Sequence, residues 1–249
     1  MIIRNSYLAM IAGIILSGSV FSCKKDELVA QTSSTFTITN AIAGVPTSYS
    51  LYARFNYGQK PTLFVNAPMI PVDNTLLFNG YSGGLPMAFS PKTDTTKVLY
   101  PQTLNIQNGN IYSLFLMGTE SDPDYLFQQE DIPPHYVPTD SVVGVRFINL
   151  SKGSAPITVN IKGTPEQLIA GPIAYKASTA YRPYPMGRTA VPSQSYGFEI
   201  RDQATGNLIT SYTLASIGTL QSKNISLVLK GIPKGMGTST QRAIVVNPK

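Results

Sequence analysis

What most constrains this sequence is its punctuation. Beyond residue 35, short apolar runs are broken by Gly, Pro, Asn or Asp, and none sustains a 3.6-residue apolar period for three turns. Runs of roughly 4 to 8 residues, recurring at roughly 8- to 12-residue spacing, predict many short strands in a sandwich or barrel. The predicted strands are 36–40, 49–55, 62–65, 75–78, 97–100, 110–118 and 125–128, then 145–149, 157–161, 196–201, 208–214, 224–231 and 243–246, with 203–207 as a hairpin turn.

These strands fall into two sets. Phe36 to Asn40 and Val145 to Asn149 both read apolar, x, apolar, x, Asn, and Asn110 to Gly118 matches Asn224 to Gly231. The matched ends lie 109 and 113 residues apart, the offset of one duplication with small insertions. Between the sets, Ile132 to Asp140 carries Pro133, Pro134 and Pro138, which suit neither helix nor strand interior. The expectation is an all-β chain: two tandem immunoglobulin-like antiparallel β-sandwich domains at 35–131 and 141–249, joined by a Pro-rich linker at 132–140.

The N-terminus has the three-part layout of a secretory signal. Arg4 supplies the positive region, Tyr7 to Leu16 the apolar region, and Ser17 to Ser22 the small-residue zone. Spanning a bilayer takes about 20 apolar residues, and Ser17, Gly18 and Ser19 interrupt this run too early. Cys23, the only cysteine, follows directly, and the segment resembles the lipobox of bacterial lipoproteins. That resemblance implies a signal peptide at 1–22, lipidation of Cys23 and a lipidated tether at 23–34. Lys25, Asp26 and Glu27 resemble an export signal that sends lipoproteins to the outer face of the outer membrane. A second resemblance rests on residues 145–163 (VRFINLSKGSAPITVNIKG), 173–175, 184–187 and 198–201. Together they resemble the bacterial extracytoplasmic family called domain of unknown function 4397, which implies an immunoglobulin-like sandwich without established catalytic residues.

Chemistry is scarce. Charged residues make up 13% of the chain, against about a quarter in an average soluble protein. His135, the only histidine, sits in the Pro-rich linker, so neither a nucleophile–histidine pair nor a zinc site has its residues. No cofactor, metal or catalytic residue is expected, and no nucleic-acid partner. The charge is uneven: residues 119–141 carry six acids and no base, whereas 142–249 carry twelve bases against three acids. Within it, the acidic run Glu120 to Asp124 reads as a hydrated connector. The segment holding Tyr175, Tyr181, Arg182, Tyr184 and Arg188 is the candidate ligand surface, since Tyr offers area with a polar tip and Arg a planar donor fork. The expected function is that of a non-enzymatic surface lipoprotein, anchored by lipid and displaying its sandwiches to a protein or glycan. Two alternatives remain open: a secreted hydrolase using a carboxylate pair, and a fimbrial or adhesin subunit with Arg54 as a processing point.

Overall fold

The computed structural model describes residues 33–55, 68–133, 142–185, 195–215, 220 and 222–246. Among the described residues, sixteen strands form four four-stranded sheets. In the first half, β1 (Ser33–Asn40), β4 (Thr75–Tyr81), β7 (Ile111–Gly118) and β8 (Pro123–Gln129) make a sheet of order β4-β1-β7-β8. Its partner has the order β3-β2-β5-β6, from β2 (Ser50–Phe55), β3 (Met69–Pro71), β5 (Gly83–Pro91) and β6 (Leu99–Ile106). The second half repeats this wiring. Here β9 (Val142–Asn149), β12 (Arg182–Pro185), β15 (Asn224–Lys230) and β16 (Arg242–Val246) give β12-β9-β15-β16. The partner sheet, β11-β10-β13-β14, is built from β10 (Ile157–Ile161), β11 (Thr164–Ile173), β13 (Tyr196–Asp202) and β14 (Leu208–Leu214). Neighbouring strands are antiparallel except for one parallel pair in each half, β1 with β7 and β9 with β15.

Each half is thus a β-sandwich with its own core. Period-2 alternation sends Phe36, Ile38, Tyr112, Leu114 and Leu116 into the first core, against Leu51, Met87 and Phe89. In the second, Val143, Val145, Phe147, Ile225, Leu227 and Leu229 meet Ile157, Val159, Phe198 and Ile200. The residues between them on β7 and β15 are also buried. Phe115 and Met117 from β7 pack with Ile148 and Val228 in a third apolar cluster, completed by Ala41, Leu150 and Val246. The sandwiches therefore stack into four layers with three apolar seams, and residues 32–249 form one compact unit.

The repeat extends to individual hydrogen bonds. The Asn40 side-chain amide donates to the Ile70 carbonyl (3.0 Å), and its Oδ1 accepts from the Ile42 N–H (3.4 Å). Asn149 does the same with Ile173 (3.2 Å) and Ser151 (3.1 Å). Each Asn ends its strand and ties it to the facing sheet. Asn40→Ala or Asn149→Ala removes both bonds and leaves the buried Ile42 or Ser151 N–H without its side-chain acceptor, so each should cost about 1–3 kcal/mol by urea denaturation. Strand β7 ends at Gly118 (φ 80°) and β15 is followed by the equivalent Gly231 (φ 104°), where a Cβ would lie 2.3 Å from the Asp122 carbonyl oxygen and 2.5 Å from that of Thr240. Only glycine fits either site.

Strand β1 begins at Ser33, inside the segment expected as tether, and β9 at Val142, one residue past the expected boundary. The predicted strand at 62–65 lies outside the described residues, as do His135 and Pro138 of the linker. The predicted strand at 125–128 is β8, paired along β7, but the acidic run at its start is no free connector: Asp122 and Asp124, with Glu130 beyond β8, pair with bases of the second sandwich, and Glu120 with Lys97 of the first.

Candidate functional site

Cys23, Lys25, Asp26, Glu27 and Arg188 lie outside the described residues. The remaining residues of the expected ligand surface do not share one face. Tyr184 turns into the second core, edge-on to Tyr196 (5.3 Å between centroids) and Phe198 (5.5 Å). Arg182 donates to the Ile169 carbonyl at 2.6 Å. Tyr175 and Tyr181 point to the seam between the sandwiches: the Tyr175 hydroxyl donates to Asp124 (2.8 Å), and the Arg146 guanidinium lies over the Tyr181 ring at 4.6 Å. The Tyr–Arg alternation that suggested a ligand platform is divided between a core and an interface.

That interface is where the charged chemistry of the described residues converges. Arg146, projecting from the outer face of β9, forms a two-pronged pair with Glu130, its two terminal nitrogens donating at 2.5 and 2.8 Å. Its Nε donates to Ser226 Oγ at 2.7 Å. Both side chains are almost wholly buried, at 6% and 1% exposure. Burial alone would push the Glu130 carboxyl up, but the hydrogen bonds and charge of Arg146 outweigh it and hold it below the usual range. Lys230, also buried, donates to Asp73 (2.6 Å) and to the Ile42 carbonyl (2.7 Å). Burial lowers its ammonium from the ordinary lysine value, against the opposing pull of Asp73. Arg242 shares Asp73 from the other side.

At the flank, Lys176 pairs with Asp124 at 2.6 Å and Lys152 with Asp122 at 2.5 Å. Burial acts to raise Asp124, but Lys176, Tyr175 and a backbone N–H together keep it below its ordinary value. Every one of these ion pairs has its acid in the first half and its base in the second.

The pairs obey a broken symmetry. Asp73 and Lys176 occupy the same place in the two repeats. Each donates its backbone N–H to the carbonyl of the strand-ending Asn, and each has φ 64°. Asp124 and Arg242 are likewise equivalent, opposite Met117 and Lys230 in the two hairpins. So Asp73 of the first half meets Arg242 of the second, while Lys176 of the second meets Asp124 of the first. Such reciprocity (i with j, and j with i) is that of a two-fold dimer interface. Here the sign at each position is reversed between the copies.

Other acids of the described residues are also engaged. Glu120 accepts from the Tyr49 hydroxyl at 2.8 Å and lies 3.6 Å from Lys97. Burial, reinforced by Glu120, raises Tyr49 well above an ordinary phenol. Glu199 pairs with Arg201 at 2.8 Å, and Asp94 and Asp202 cap turns through Thr96 and Thr205. Among the described residues no three His, Cys, Asp or Glu side chains are grouped to hold a metal ion, and no helix is long and apolar enough to cross a membrane. No protein-family model matches the chain, and no curated protein is similar to it.

Proposed function

We propose that this chain is a lipid-anchored lipoprotein of the outer membrane that displays a rigid pair of β-sandwiches to a protein or glycan partner and performs no catalysis. The observation that carries this reading is the lone Cys23, placed directly after an apolar, small-residue N-terminal segment, ten residues before β1. One acyl chain binds membranes marginally and two or more anchor stably, so a diacylated cysteine holds the chain without a spanning helix. The resemblance to the domain of unknown function 4397 family belongs to this proposal and agrees with it. So does the spending of acids on ion pairs: a hydrolase of the carboxylate type needs two acids free to meet a substrate, whereas Asp73, Asp122, Asp124 and Glu130 are tied to cations.

Cys23→Ala is expected to move the protein from the membrane to the soluble fraction with its fold unchanged; continued membrane attachment would sink the lipoprotein reading. Display outward predicts that protease added to intact cells removes the sandwiches. Protection until the outer membrane is breached places them in the periplasm instead.

A further inference from the structure

Three charged side chains are buried among the described residues, Glu130, Arg146 and Lys230, and all three lie between the sandwiches. Neither core cluster contains a charged residue. We propose that the seam is an acid-released clasp: protonation of the first sandwich's carboxylates uncouples the two sandwiches while each keeps its own fold.

Sign is segregated across the seam, acids on the first sandwich and bases on the second. Glu130 faces Arg146, Gln128 and Tyr181; Asp124 faces Lys176, Tyr175 and Tyr100; Asp73 faces Lys230 and Arg242; Asp122 faces Lys152. Once Glu130 and Asp124 are neutral, Arg146 and Lys176 of the second sandwich lose the charges that face them. Arg146 is buried, and an unpaired buried charge is strongly unfavourable until it regains water. Opening the seam supplies that water. What resists is the small apolar cluster around Phe115, Ile148 and Val228, against which each sandwich core is larger and free of groups that titrate in acid.

The direction with pH follows from the depressed carboxylates. Glu130 and Asp124 sit below their ordinary values in the folded chain, so their contribution is complete above the usual carboxylate range of about 4. It is lost as pH falls through the lowered values.

The test is methyl NMR of the full chain from neutral pH to about pH 2, the span over which carboxylates titrate. The seam methyls of Met117, Ile148 and Val228 should lose their buried shifts in one reversible step below about pH 4. Because several protons are taken up together, that step should be steeper than a one-proton curve. Ile38, Leu114, Val159 and Leu227 of the two cores should keep their dispersion through it. Loss of seam and core signals together, or an unchanged seam at the acid limit, overturns the proposal. Asp124→Asn and Glu130→Gln should each move the step to higher pH, and a midpoint that neither moves overturns it as well.

Discussion

Arg146→Ala is expected to destabilise the chain by about 3–5 kcal/mol, because it leaves Glu130 buried without its counter-ion. Glu130→Ala should cost a similar amount for the converse reason. The size of the effect comes from desolvation, and is no measure of what the pair contributes to stability. Replacing both at once, Arg146→Met with Glu130→Leu, removes both charges from the seam and should recover most of the loss. Arg146→Lys should behave more like the alanine variant than its charge suggests, since an ammonium cannot reproduce two parallel bonds to Glu130 and a third to Ser226. Urea denaturation of the four variants checks these values. A single-variant loss below about 1 kcal/mol, typical of exposed pairs, would contradict the burial on which the acid-release argument also depends.

Phe147→Ala is expected to have an effect of the same order, about 3–5 kcal/mol, through the cavity it opens. Phe147 is 2% exposed and meets Phe198 edge-on at 5.3 Å, in the middle of the second core. At neutral pH the intact seam should transmit the damage. Thermal unfolding should remain one transition with a lowered midpoint, rather than splitting into a low-melting second sandwich and an unaffected first. Two resolved transitions at neutral pH would show that the seam does not couple the halves.

Much of the strand pattern was legible because alternation and turn residues agreed. Strands β10 and β14 have the bounds that the periodicity predicts, and the Asp202–Asn207 turn between β13 and β14 closes where the Gly-Asn pair suggests. The strands that escaped carry proline or glycine: β11 with Pro165, Gly171 and Pro172, β12 with Pro183 and Pro185, and β5 with Gly83, Gly84 and Pro86. Strands β11 and β12 are sheet edges, where a missing N–H breaks no ladder. Residues 83–86 pair with β6 alone among the described residues, so that end of β5 is locally an edge too. At three residues, β3 is too short to show a period.

The seam was half legible. Strands β7 and β15 read apolar almost without alternation, through Leu114, Phe115, Leu116 and Met117 and through Leu227, Val228 and Leu229. Strands buried on both faces read that way, and this was the available sign of a third apolar layer. The opposite charges of residues 119–141 and 142–249 were equally visible. The pairing across the seam was not, because it also draws in Asp73, far in sequence from its partner Arg242, and alternation along one strand carries no information about which distant face it meets.

The position of β1 also has a mechanical consequence. Ser33 opens a strand held on both sides, antiparallel to β4 over seven residue pairs and parallel to β7 over six. Tension applied to the chain ahead of Ser33 runs along the strand axis, across hydrogen bonds that lie perpendicular or slanted to it. Those bonds are loaded side by side, in shear, rather than peeled open one after another. If the chain is tethered at Cys23, the first element to feel a pull is the one best placed to resist it.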